Sequence, residues 1–144
     1  MYVKLFEEFI APMSVADIKD AVMKEMERVT GGDPTKLIGR CSEASLMTFK
    51  LLVGLGQDAA AIDGEYHGAI SDSSKEYFRG NRHSWVVCNG YIVDPTRWVF
   101  DWENIEPFVE VIPSPDKDYV GKYKPITAWQ DWWNDELKYS GFKL

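Results

Sequence analysis

Asn89-Gly90 stands between two apolar-rich runs, His83-Ser-Trp-Val-Val-Cys88 and Tyr91-Ile-Val-Asp94. A two-residue type I′ turn needs positive φ at both central positions, and Asn-Gly is the pair that supplies it most readily. The stretch from His83 to Thr96 therefore reads as a hairpin, and the turn fixes its register. Cys88 faces Tyr91, Val87 faces Ile92, Val86 faces Val93, Trp85 faces Asp94 and His83 faces Thr96. Side chains on a strand alternate between faces, so His83, Trp85, Val87, Ile92, Asp94 and Thr96 share one face. His83 and Asp94 are then diagonal neighbours, about 7–8 Å apart at the backbone, within reach of an imidazole–carboxylate hydrogen bond.

A histidine oriented by a carboxylate is two-thirds of a catalytic triad, and the chain offers Cys41 as the nucleophile. Gly39-Arg40 precedes Cys41, and the segment from Cys41 to Val53 has helical character, with Ala44, Leu46, Phe49, Leu52 and Val53 as its apolar positions and Gly54 and Gly56 at its end. Cys41 thus falls at or just before a helix's first turn. The unpaired amides and the positive end of the macrodipole there favour a thiolate, and the Cys41 backbone amide can contribute to an oxyanion hole. Most cysteines outside disulfides are small buried hydrophobes, and Cys41 read alone fits that description equally well.

Composition bounds the alternatives. The 144 residues are 45% hydrophobic and 14% aromatic, enough for one domain spanning 1–144 with a proper core. The formal net charge of -7 opposes phosphate backbones and anionic lipid, so neither nucleic acid nor membrane is an expected partner. The N-terminal Met1-Tyr-Val-Lys-Leu-Phe-Glu-Glu8 shows no basic segment followed by an apolar one. Two cysteines make no disulfide framework, so a reduced, cytoplasmic setting is expected. No cysteine or histidine spacing suggests a zinc site, and no metal or other cofactor is expected.

The rest of the chain frames these residues. Residues 2–10 are ambiguous between a short strand and a docking arm. Ser14 is a good N-cap, and Val15, Ile18, Val22, Met26 and Val29 form the apolar face of a helix running to about Arg28, stopped by Gly31-Gly32. Residues 33–40 read as a loop, residues 58–67 as a small-residue strand, and residues 70–82 as a polar, turn-rich connection. His67 sits at the end of that strand. The aromatic-rich 97–102 either extends the second hairpin strand or turns over the site. Residues 108–112 alternate as a strand, residues 120–124 form a short edge strand, and Thr127 to Gln130 is a capping box that opens a C-terminal helix with Trp129, Trp132, Trp133 and Leu137 on one stripe. Helices lead, strands follow and a helix closes, which predicts an α+β fold with an antiparallel sheet.

Cysteine at a helix start, histidine on a strand and aspartate on the next strand form the constellation of a cysteine acyl-transfer site. Cys41 is the nucleophile, His83 the general base and then acid, and Asp94 the group that fixes the imidazole. Cys41 and His83 lie 42 positions apart, so only the fold can join them. The segments Gly39-Arg-Cys41 followed by a helix, His83-Ser-Trp85-Val86 and Val93-Asp94-Pro-Thr96 resemble the three core motifs of the transglutaminase-like superfamily of cysteine enzymes. The resemblance covers about residues 37–98. It implies a papain-like fold, with the cysteine-bearing helix packed on an antiparallel sheet that carries the histidine and aspartate. It also implies catalytic roles for Cys41, His83 and Asp94. No second oxyanion-hole donor is evident upstream of Cys41; Gln57, Asn81 and a tyrosine are the candidates.

Two functions from different classes fit. One is a cysteine hydrolase or acyltransferase, protease- or amidase-like, acting on a peptide or other amide-bearing substrate through a thioester. The other is a catalytically silent binding module that keeps the fold and uses its aromatic groove. Trp85, Trp98 and Tyr66 are the expected substrate-binding walls, with the segment from Ser71 to Arg82 beside them. The sequence does not fix the acceptor, water or amine, or the oligomeric state.

Overall fold

The computed structural model describes residues 11–75, 81–101 and 108–123. The first helix, α1 (Val15–Thr30), starts where Ser14 accepts the Asp17 amide at 3.1 Å and ends at Gly31 in the left-handed region, φ 65°. Its apolar stripe is buried through Ile18, Val22, Met26 and Val29. A 3-10 turn over Pro34–Leu37, inside the segment read as a loop, leads to α2 (Cys41–Gly54).

Five antiparallel strands follow, and they form one curled sheet. They are β1 (Ala59–Tyr66), β2 (Arg82–Cys88), β3 (Tyr91–Asp94), β4 (Glu110–Pro113) and β5 (Tyr119–Tyr123), in the spatial order β4-β3-β2-β1-β5. The α+β class with an antiparallel sheet is as the sequence predicts. The hairpin register is as expected over the three pairs nearest the turn, with Val86 opposite Val93, Val87 opposite Ile92 and Cys88 opposite Tyr91; the ladder does not extend to the expected Trp85–Asp94 and His83–Thr96 pairs. Asn89 and Gly90 both have positive φ, 52° and 83°. Residues 97–102 do not extend β3 in their described part; Arg97–Phe100 forms a 3-10 turn. The expectations for residues 2–10 and for the C-terminal helix fall outside the described residues. No helix among the described residues is long and apolar enough to cross a membrane.

One local expectation fails. Val53, one of the apolar positions read into α2, is 46% exposed. The first two turns of α2 are buried on several sides, through Glu43, Ala44, Ser45, Leu46, Met47 and Thr48. A helix enclosed that way has no single stripe, and its C-terminal turn emerges into solvent before Gly56.

The curl depends on a glycine pair. Gly64 of β1 lies opposite Gly121 of β5 and, on its other side, opposite His83 of β2. A Cβ at Gly64 would stand 2.3 Å from Gly121 Cα, 2.4 Å from the Val120 carbonyl and 2.9 Å from Trp85 Cη2. The bare backbone there lets the Trp85 indole lie across β1 and β5. Because two of the three nearest atoms are backbone, an alanine at position 64 must push strands apart. Gly64→Ala is expected to lower stability by about 3 kcal/mol, read as a shift of the urea midpoint; a midpoint within error of wild type would contradict this packing.

Candidate active site

Cys41, His83 and Asp94 come together. His83 Nε2 donates to Asp94 Oδ2 at 2.7 Å, and both side chains are essentially sealed from solvent, at 1% and 0% exposure. The Cys41 side chain lies against the His83 ring, close enough to favour the protonated imidazole. Asp94 occupies Nε2, so the nitrogen left for the thiol is Nδ1. Cys41 itself is only half-buried, so the sulfur lies at the boundary between the buried pair and solvent.

Local structure makes this meeting possible. The cap position of α2 is Arg40, which supplies no side-chain acceptor to the first turn. The first intrahelical bond runs from the Ala44 amide to the Arg40 carbonyl at 3.0 Å, so the amides of residues 41–43 precede the helix ladder. Ser42 Oγ lies 3.2 Å from Ser84 Oγ, which in turn donates to Asp63 Oδ1 at 3.3 Å. This contact joins the start of α2 to β2 at the residues next to Cys41 and His83. It carries the approach that spacing alone could not show.

Asp94 is held from several directions. The Thr96 amide donates to Oδ1 at 3.0 Å in a two-residue side-chain turn, with the Thr96 hydroxyl at 3.4 Å. The Tyr119 hydroxyl donates to Oδ2 at 3.0 Å. Aromatic rings enclose the imidazole: Phe100 at 4.8 Å, Trp85 at 6.0 Å, Tyr66 at 6.2 Å and Tyr119 at 6.5 Å between centroids. Phe100 is fixed in turn by the short helix Asp72–Lys75. The Ser71 amide donates to the Phe100 carbonyl at 2.8 Å, and Ser74 Oγ donates to the Val99 carbonyl at 2.9 Å.

Electrostatics follow from burial and pairing. Burial, the largest single influence, opposes an imidazolium at His83. The Asp94 charge and hydrogen bond, with the Cys41 side chain, outweigh it and raise the pKa to about 10. Cys88 is an internal contrast: burial, with the Asp58 charge, pushes its thiol up to about 11.

The three expected wall residues divide between two places. Tyr66 and Trp85 are buried against His83, with Tyr66 stacked on Phe100 at 4.5 Å and the Arg97 guanidinium 4.6 Å from its ring centroid. Trp98 instead lines an apolar cavity of about 370 Å³, together with Met23, Met26, Leu37, Pro95 and Phe108. Neither Cys41 nor His83 nor Asp94 lines that cavity. It lies beside Pro95, the residue after Asp94, and under the turn that leads to Cys41.

Two of the suggested oxyanion donors are committed elsewhere. Gln57 accepts from the Met13 amide at 2.8 Å and from Asn89 Nδ2 at 2.7 Å, tying the hairpin tip to the chain before α1. It follows the far end of α2, roughly 20 Å along the helix from Cys41. Asn81 pairs with His67 at 3.2 Å, and His67 also contacts Glu65 at 3.0 Å. Tyr119, Phe100 and the glycine pair were missed by sequence reading. Comparison of the chain with protein-family models, curated proteins and solved structures finds no match.

The pair has a measurable pH signature. His83 binds its proton more tightly in the folded chain than in the unfolded chain, where the pKa is near 6.5. Its contribution to stability is therefore complete below about pH 6.5 and lost as pH rises through about 10. Removing one partner of a buried ion pair costs about 3–5 kcal/mol. Asp94→Asn is expected to show that loss at pH 6 and a much smaller one at pH 10, measured by denaturant titration. A loss independent of pH would contradict a charged His83–Asp94 pair.

Proposed function

We propose that the chain is a cysteine-dependent acyl-transfer enzyme with a papain-like arrangement, akin to the transglutaminase-like superfamily, acting on an amide-bearing peptide substrate. The observation that carries this reading is the grouping of the Cys41 side chain, the His83 ring and Asp94, with the last two hydrogen-bonded at 2.7 Å. A buried histidine–aspartate pair alone has a structural explanation. A half-exposed cysteine at a helix start, set against the same ring, has a chemical one.

The reaction runs in two steps. The Cys41 sulfur attacks the amide carbonyl carbon, and the C–S bond forms as the carbonyl electrons move onto oxygen. The Cys41 backbone amide receives that developing charge. The imidazolium of His83 gives its proton to the leaving nitrogen, the C–N bond breaks and a thioester remains. His83, now neutral, takes a proton from water or from an acceptor amine, which attacks the thioester. The product acid or new amide leaves, and Cys41 with His83 returns to the starting protonation. Asp94 keeps Nε2 bonded throughout, so that Nδ1 faces the sulfur. No metal or other cofactor enters these steps, and a reducing cytoplasmic setting would keep Cys41 as a thiol.

The apolar cavity beside Trp98 favours a second reading, a silent binding module, because its lining includes none of the three triad residues. A panel of peptide amides and glutamine amides separates the two. The enzyme reading predicts turnover by wild type, a thioester adduct on Cys41 by intact mass, and a loss of at least about 10³-fold in Cys41→Ser. Equal turnover by Cys41→Ser, or tight peptide binding with no adduct and no turnover, would contradict it.

A further inference from the structure

Tyr119 lies on β5, separated from β3 by β1 and β2 in the sheet, yet its hydroxyl reaches Asp94. The curl of the sheet lets the ring pass under the aromatic layer. It packs edge-on against Trp85 at 5.1 Å and against Tyr66 at 5.3 Å. The hydroxyl donates to Oδ2, the same oxygen that receives His83 Nε2.

We propose that Tyr119 is a positioning residue of the active site: its hydroxyl fixes the Asp94 carboxylate plane, and through it the orientation in which His83 presents Nδ1 to Cys41. This rests on the acyl-transfer reading of the site. The torsion that turns a carboxylate is broad and nearly two-fold, so it sets the plane only weakly by itself. Thr96 holds Oδ1, and a donor on Oδ2 is what stops the group from turning about that anchor. Burial, followed by the nearby Asp94 charge, pushes the Tyr119 phenol far above its usual range. It therefore stays protonated and can act toward the carboxylate only as a donor. The titratable groups facing His83 are Cys41 from α2, Tyr66 from β1, Asp94 from β3 and Tyr119 from β5, with Arg97 behind Tyr66.

Tyr119→Phe keeps the ring contacts and removes only the hydroxyl. In proton NMR of the full chain, the His83 Nε2–H resonance is expected to move upfield as the carboxylate turns and its bond to Nε2 weakens. Iodoacetamide labelling of Cys41 at pH 6.5 is expected to fall roughly tenfold, in line with loss of one hydrogen bond to a charged group. A merely structural tyrosine would lower the melting temperature and leave both readouts unmoved, which would overturn the proposal. If Tyr119→Phe does not fold, site-specific 3-fluorotyrosine at 119 keeps the shape and strengthens the donor. The resonance should then move downfield, and an unmoved resonance overturns the proposal. A separate comparison tests the function reading: Cys41 labelling unaffected by His83→Ala would end that reading, while the NMR comparison would still decide whether Tyr119 orients His83.

Discussion

The buried hydrogen bond between His83 and Asp94 is the interaction on which the rest of the structure depends. Two ionisable side chains without solvent contact are costly unless their charges and donors are matched. Here the match is nearly complete. Asp94 receives donors from His83, Thr96 and Tyr119, and His83 is bonded at Nε2 by Asp94 with the Cys41 side chain against its ring. The aromatic rings around the imidazole exclude water, which strengthens each of these bonds and raises the penalty for losing any one.

That requirement explains features far from the pair. The sheet must curl so that a β5 tyrosine can reach a β3 carboxylate. The curl needs Gly64 and Gly121 opposite each other, because the Trp85 indole crosses the strands where their side chains would stand. The 3-10 turn Arg97–Phe100 brings Phe100 onto the imidazole, and the short helix after Ser71 holds that turn. Ser42 and Ser84 join the start of α2 to β2, so the sulfur arrives on the open side of a histidine whose other side is already committed.

The parts legible in the sequence are those set by local rules. Asn89-Gly90 dictated the turn, the register and the shared face of His83 and Asp94; Ser14 and Gly31 bounded α1. The meeting of Cys41 with His83 was open, since it depends on packing between segments 42 positions apart. Tyr119 was illegible for the same reason: its partner is 25 residues away on a strand that is not its neighbour in the sheet. The aromatic residues show the limit in another way. Composition marks Tyr66, Trp85 and Trp98 as large and apolar, but only the tertiary fold separates the two that enclose the imidazole from the one that lines the cavity. Gln57 looked available as a donor because nothing local revealed its bonds to Met13 and Asn89.

The account's central claim is that Cys41 and His83 act as one thiol–imidazole unit, and the most direct test is the pH dependence of iodoacetamide labelling, read separately for Cys41 and Cys88 by peptide mass spectrometry. Cys41 should label readily at pH 6 to 7, with a profile that changes when His83 is replaced by alanine, while Cys88 stays inert until the pH nears 11. Two cysteines that titrate together, or a Cys41 profile indifferent to His83, would contradict the claim.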